Sequence, residues 1–491
     1  MEISPNIEIN IEEFERQLEN CGDIKKKSFV IGKNFDTKCY LAYIEVTVPN
    51  VTLADSVVGK MITFLQDKSH EEIMQMVEKN GFGLTDVAAF YTMEETIAAM
   101  MTGDAVFFVD GMSCAYKLAI KGYPGMGVTE SQTEPTLRGS KEGIADSVKV
   151  NEALIRKRVR SGNLKVKEIK VGLRSDTTVS LIFMEDIVSD DLVKKIEEQL
   201  SEYEIDGVFD SGMLIQLMET SVNSPFPQYQ STERPDRAAM AVLEGRVVLL
   251  CDNSPMAVLL PANYNSFFVT TDDYYNRWEV ATMERIIRYI ASFIAMFLPG
   301  LYLSIIQYHS QVVPATLVLT FASARIGVPF SAFFEVLIME IAFELLREAG
   351  IRIPGTLGKS IGIVGGLIVG QAAVEAGLVS PIVVIVVALT ALATFCVPNE
   401  EFSSAYRIIK FAMLFVAAFL GIYGVILGTI VLVLHLCTLK SMGKPFLILS
   451  ADKKSENIIR KPSKKLTKRS IYAKDDEKIR LKKKAVTQEA E

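Results

Sequence analysis

The sequence predicts an α/β soluble N-terminal region of two subdomains, followed by an all-α polytopic membrane domain. Three observations predict it. Apolar residues make up 49% of the 491 and concentrate between Tyr289 and Leu439. Helical and strand periodicities alternate through residues 1–280. Charge is partitioned: from Lys440 to Glu491 there are 16 Lys/Arg against 7 Asp/Glu, a tail of +9, which leaves −16 on the remainder of a chain at −7. The expected boundaries are 1–130 and 131–280 for the two α/β subdomains and the linker, 281–440 for the transmembrane helices and 441–491 for a basic tail.

In chain order, residues 11–20 form an amphipathic helix and KCYLAYIEV (38–46) a strand. AVFFVDGMSCAYKLAI (105–120) is two apolar runs around Asp110-Gly111, a hairpin pattern. VKEIKVGL (166–173) and TTVSLIFM (177–184) read as paired strands, and residues 188–203 as a helix capped by Ser189 or Asp190. Residues 133–162 begin as a loop, become a basic helix from Ile144, and carry Arg156, Lys157, Arg158 and Arg160. RGSKEG within that loop lacks the glycine–lysine spacing that sets backbone amides around a phosphate. The basic run is too short, in too acidic a domain, for nucleic acid. In 223–261, Pro235 suits the first turn of a helix and Gly245 its end, with RVVLLCD and MAVLL as strands after it. Arg234, Asp236, Arg237 and Arg246 crowd this segment. They form either an internal ion-pair network or, with Arg156 and Arg158, a surface that couples the domain to its membrane part.

The apolar block holds RYIASFIAMFLPGLYLSIIQY (288–308), long enough to span a bilayer at ~1.5 Å per residue, with Arg285 and Arg288 as an inside flank. VPATLVLTFA (313–322) is too short to cross. Helices over 330–347, 360–377 and 381–397 follow. The run 408–439 is too long for one upright helix and short for two: Leu420-Gly421-Ile422-Tyr423-Gly424 offers a turn in its middle, which favours a hairpin or re-entrant form, and the alternative is one long tilted helix that puts the tail outside. The hairpin form keeps the tail, a basic arm suited to anionic lipid, on the cytoplasmic side with Arg347, Arg352, Lys359, Arg407 and Lys410.

Two helices of the block carry polar stripes. At 100° per residue, Glu340, Glu344 and Glu348 share one face with Arg347 beside it, and Glu335 falls elsewhere. A carboxylate facing lipid costs roughly 2.5–3.5 kcal/mol on insertion scales. The stripe therefore faces protein, water or its own arginines: an ion-paired structure with Arg347, Arg352 or a neighbouring subunit, or a vestibule that attracts cations. On the next helix, Gly362, Gly365, Gly366, Val369 and Ala373, with Ala376 and Gly377, form a small-residue side suited to close helix packing. Ser360, Val364, Leu367, Gln371 and Glu375 lie opposite. In a ring of identical helices they would line a bore with an apolar constriction at Val364.

Other classes are disfavoured. Cys21, Cys39, Cys114, Cys251, Cys396 and Cys437 are far apart, with no C-x-x-C pair, so neither zinc nor a disulfide framework is expected. His70, His309 and His435 make no metalloprotease or nucleophile–base pattern, so no enzyme and no cofactor are expected. The acidic N-terminus (Glu2, Glu8, Glu12, Glu13) has no secretory leader pattern, so the N-terminal region is expected in the cytoplasm. A proton-coupled secondary transporter and a non-conducting scaffold subunit remain alternatives; the first lacks a visible inverted repeat.

The motifs EPTLRGSKEG (134–143), NEALIRKRVRSG (151–162), QSTERPDRAAMAVLEGRVVLLCDNSP (230–255), IGVPFSAFFEVLIMEIAFELLREAGIRIP (326–354) and IGIVGGLIVGQAAVEAGLVSP (361–381) stand in an order that resembles the A subunit of the GerA-type spore germinant receptors. The resemblance covers nearly the whole chain. It implies a subunit of the spore inner membrane that works with a transporter-like B subunit and a lipoprotein C subunit. It also implies a homo-oligomer, a pentamer, passing monovalent cations when nutrient binds. Carried onto this sequence, the pore helix is 360–376 and its constriction Val364. The basic tail after Pro445 lies outside the shared motifs.

Overall fold

The computed structural model describes the chain except residues 49–52, 54–57, 79–86, 121, 123–129, 354–355, 449–457, 468, 470–471, 475–478 and 480–491, and the side chains of 78, 356–364 and 367. The chain forms two compact units. The α/β unit comprises 1–220, 229–261 and 463–491; the helical unit comprises 221–228 and 262–462. Residues 262–280 group with the helices, and described residues after Pro462 group with the α/β unit.

The α/β unit begins with α1 (Ile7–Gln17), which starts earlier than expected because the side chain of Asn6 accepts from Glu8 N. It continues through β1 (Ile24–Ile31), β2 (Thr37–Ile44), α2 (Gly59–Leu65), α3 (His70–Glu78), β3 (Val87–Phe90), α4 (Met93–Met101), β4 (Ala105–Val109) and β5 (Ala115–Leu118). The sheet order is β1-β2-β4-β5-β3, antiparallel throughout. The anticipated hairpin at Asp110-Gly111 is β4–β5. Strand alternation divides the core: Phe107 and Val109 pack with Met61, Leu65, Ile73 and Val77, while Val106 and Phe108 pack with Phe14, Met93 and Ile97. Helices thus cover both faces, which is why AVFFV is buried at every position.

The second half repeats this plan with α5 (Val148–Arg158), β6 (Leu164–Val171), β7 (Thr177–Met184), α6 (Asp190–Ser201), α7 (Ser211–Met218), β8 (Gln230–Thr232), α8 (Pro235–Leu243), β9 (Val247–Cys251) and β10 (Ala257–Leu260). Its sheet order, β6-β7-β9-β10-β8, is that of the first sheet position for position. Register recurs as well. Ile24↔Ile44 returns as Leu164↔Met184, and Cys39↔Val109 as Val179↔Cys251. So do side-chain anchors. Asn10 clasps the backbone of Ser4 through both amide atoms, and Asn151 clasps Ala145 in the same way. Asp110 accepts from Ile7 N, as Asp252 accepts from Val148 N. The unit is an internal duplication, with Pro235 at the start of α8 and Gly245 past its end at φ +86°.

The helical unit contains α9 (Asp272–Tyr275), α10 (Trp278–Tyr308), α11 (Ala315–Ala324), α12 (Ala332–Arg352), α13 (Thr356–Glu375), α14 (Pro381–Phe395) and α15 (Glu400–Thr438), then the short ladder of β11 (Lys440–Ser441) and β12 (Lys444–Pro445). α15 is two arms. Gly421 is non-helical at φ 59°, ψ −147°. A methyl group on Gly428 would lie 2.6 Å from Met413 Sδ. Fifteen residues of straight helix would hold those positions about 22 Å apart, so the chain reverses, in the anticipated hairpin form. Tyr308 secures the turn by donating to Ala418 O at 2.6 Å. Phe226, Phe267, Phe402, Tyr406 and Phe446 fill one core of the unit, with Phe267 and Phe402 stacked at 4.5 Å.

Candidate functional site

The acidic stripe of α12 is built into the helical unit by partners from α15. Glu340 is 1% exposed, and Lys410, 5% exposed, donates to its Oε2 at 2.6 Å. Lys410 also reaches Glu344 at 3.3 Å, and Arg407 donates to Glu344 at 3.2 Å. Arg347 pairs with Glu400 at 3.5 Å, and the exposed Glu348 pairs with Arg352 on its own helix at 2.6 Å. Glu335 is fully buried: Arg325 donates to one carboxylate oxygen at 3.0 Å and Ser380 N to the other at 2.9 Å. Arg407 and Lys410, read from sequence as a loop flank, lie on the helical face opposite the glutamates. Buried charges of opposite sign in one low-dielectric core pair rather than stand alone. Lys410, Arg407 and Arg325 are the ion-pair partners that sequence reasoning missed; the signal was a lysine inside an apolar run. Glu340 Oε1 has no hydrogen-bond partner.

On α13, three glycines and an alanine face the neighbouring helices. Side chains at Gly365, Gly366 and Gly370 would lie 3.2 Å from Leu346, 2.9 Å from Phe343 and 2.9 Å from Val384, and Ala373 packs on the core of Val336, Met339 and Val383. Val369 is 41% exposed, which corrects its expected place on the packing face. Gly366 and Gly370 are buried, with Gly365 and Ala373 partly buried beside them. Gly362, Ser360, Val364 and Leu367 lie outside the described side chains. Gln371 and Glu375 are exposed, and Gln371 donates to Glu375 Oε1 at 3.1 Å.

In the α/β unit the six expected coupling residues are engaged internally. Arg156, fully buried, donates to both carboxylate oxygens of Asp23 at 2.5 and 2.8 Å. Arg158 donates to Glu142 at 2.6 Å. Arg234 forms a fork with Asp236 at 2.7 and 3.1 Å and also binds Thr136 and Ser140 O at 2.9 and 2.8 Å. Arg237 pairs with Glu134, and Arg246 binds Gln230 and Leu259 O at 3.0 and 2.9 Å. The loop with RGSKEG is therefore wrapped on Arg234: its carbonyls and hydroxyls face a cation, the reverse of a phosphate cradle. Among the described residues no cluster of metal-ligating side chains occurs.

Among the described residues, α10 and α15, the latter counted with both its arms, are long and apolar enough to cross a membrane by length and composition. On α15 the side chains of Phe419, Tyr423, Val431 and Leu434 are each more than half exposed, an apolar surface that water does not tolerate at this extent. A duplicated α/β unit joined to a helical unit with ion pairs inside and apolar residues outside defines a membrane-associated protein with a large polar domain. The sequence model described as Bacillus/Clostridium GerA spore germination protein matches residues 12–472, and the chain belongs to that family. Relatives include spore germination protein KA of Bacillus subtilis, 34% identical over 93% of this chain and 84% of its own length. GerLA of Bacillus cereus is 33% identical over 96% of both chains. A further relative, described as the uncharacterized membrane protein YfkQ of Bacillus subtilis, is 39% identical over 91% of this chain and 86% of its own. The crystal structure of the N-terminal domain of the A subunit of the Bacillus megaterium spore germinant receptor GerK3 is 24% identical, with TM-score 0.43, covering 54% of this chain and 98% of that one.

Proposed function

We propose that this chain is the A subunit of a nutrient germinant receptor in the spore inner membrane, and that several copies enclose a cation passage lined by α13. One observation carries the reading. Gln371 and Glu375 lie exposed on α13 after an apolar run from Ile361 to Gly370, hydrogen-bonded to one another, while the opposite side of α13 is packed by Gly366, Gly370 and Ala373. A carboxylate and an amide on that outer face do not belong in hydrocarbon; neighbouring copies around a wet bore satisfy them, and a ring of glutamates favours cations. Ser360, Val364 and Leu367 continue the same helical face by sequence, with Val364 as the constriction. The partners are a transporter-like B subunit that holds the nutrient and a lipoprotein C subunit. The N-terminal region faces the cytoplasm, and the Arg156–Asp23 and Arg234–Asp236 pairs carry movement through it.

Purified full-length chain in liposomes tests this. Val364→Ala is expected to raise potassium or sodium leak, and Glu375→Gln to weaken the preference for cations over anions. A chain that purifies as a single copy, with cysteines placed at 371 and 375 closed to water-soluble thiol reagents, would overturn the reading.

A further inference from the structure

The two repeats of the α/β unit meet at a joint made of charge. Residues 20–22 run along the free edge of β6: Gly22 N donates to Val166 O at 2.9 Å and Val166 N to Asn20 O at 3.0 Å. Beside this ladder Asp23 takes Arg156, and Lys165 donates to Gln17 O at 3.0 Å. Lys149 of α5 lies 2.6 Å from Glu168, 3.4 Å from Glu152 and 3.4 Å from Glu45 of the first repeat, which also pairs with Lys25 at 3.2 Å. Glu152 is 1% exposed at the centre. It is faced by Lys149 from its own helix, by Ser180 from β7, whose hydroxyl donates to it at 2.5 Å, by Glu168 from β6 and by Asp23 from the segment between α1 and β1. Glu45, following β2, faces it across Lys149.

The duplication supplies an internal comparison. By the repeated register, Glu152 and Ser180 occupy the places held by Ile11 and Tyr40 in the first repeat. An isoleucine and a tyrosine that pack one helix on its sheet have become an acid and a small hydroxyl, on a helix that touches both repeats.

We propose that Glu152 is a proton-binding site through which pH sets how tightly the two repeats are joined. Burial pushes its carboxyl up to about 7 from an ordinary 4.5, against the opposing pull of Lys149 and the Ser180 hydroxyl. In an opened joint, water restores the ordinary value. The closed joint therefore binds one more proton than the open one between about pH 4.5 and 7. Closure is favoured fully below that window, weakens about tenfold per pH unit within it, and levels off above about pH 7. The proton goes to bulk solvent; no other reactant is needed. This inference is independent of any passage along α13.

Hydrogen exchange of full-length chain in nanodiscs, read by mass spectrometry on peptides covering 20–23 and 164–168 and corrected for intrinsic chemical exchange, tests it. Opening of these peptides is expected to rise about tenfold per unit from pH 5 to 7 and then flatten. The histidines lie outside both peptides. Glu152→Gln, which keeps shape and hydrogen bonding, should abolish the slope. So should Glu152→Ile with Ser180→Tyr, which installs the first repeat's own pair and serves if the glutamine variant misfolds. A wild-type slope of zero, or a slope retained in a folded variant, would overturn the proposal.

Discussion

Arg156 and Asp23 show how much one buried pair decides. Arg156 has no exposed surface and Asp23 is 1% exposed, so neither charge has water to fall back on. Removing the carboxylate alone leaves a guanidinium bound to Ser161 O at 3.3 Å and to a methionine sulfur. Asp23→Ala is expected to cost about 3–5 kcal/mol, while Asp23→Leu combined with Arg156→Met is expected to be near neutral. Denaturant unfolding of purified full chain distinguishes these; a loss under about 1 kcal/mol for Asp23→Ala would mean that water enters the site. The residue types at such places were legible in the sequence, because charge density marks Arg156, Arg234 and Asp236 as special. Their partners were not. Asp23 lies 133 positions from Arg156 and Thr136 lies 98 from Arg234, distances at which periodicity carries no information.

Among elements, α12 and α15 depend on one another. The stripe of Glu340 and Glu344 was readable from helical spacing; that α15 answers it with Lys410 and Arg407 was not, because contact between helices is set by packing rather than by local pattern. Lys410→Met leaves the buried carboxylate of Glu340 uncompensated, and a loss of about 3–5 kcal/mol is expected, largely recovered by adding Glu340→Gln. Thermal midpoints of the three variants in detergent form the cycle; additivity of the two changes would show that the pair is not coupled. The turn of α15 has a backbone requirement of its own. Gly421 sits at positive φ with His309 and Tyr308 at 3.0 and 3.1 Å from where a methyl would go. Gly421→Ala is expected to destabilise the hairpin by about 1–3 kcal/mol. The LGIYG stretch suggested this turn because it lies in the middle of a run too long for one upright helix, and its glycines permit the reversal. The duplication of β1–β5 as β6–β10, by contrast, escaped the sequence. Backbone anchors such as Asn10 and Asn151 persisted, but side chains that face different neighbours diverged, as at Ile11 and Glu152.

At the scale of the whole molecule, the chain passes between its two units four times, after Thr220, Gln228, Pro261 and Pro462. The last passage brings described residues of the basic segment, among them Arg469, Ala473 and Lys474, onto the α/β unit. Ala473 bridges to Val188, Lys474 N donates to Ile187 O at 2.8 Å, Lys474 Nζ meets Asp190 at 3.0 Å, and Arg469 donates to Leu243 O at 3.1 Å. A lysine-rich segment can still dock through its backbone and a few small apolar residues. The docking is close: a Cβ on Gly245 would lie 2.8 Å from Ala473 N and Cα. Gly245→Ala therefore carries two costs in the full chain, about 1–2 kcal/mol for an alanine at φ +86° and a further cost for displacing the tail. In a chain ending at Pro462 only the first remains. The substitution is expected to lower the thermal midpoint less in the truncated chain, with a coupling of about 0.5–3 kcal/mol between the two changes. Equal effects in both chains would mean that residues 472–474 contribute no packing on Gly245, and that the tail is attached through Lys474 and Arg469 alone.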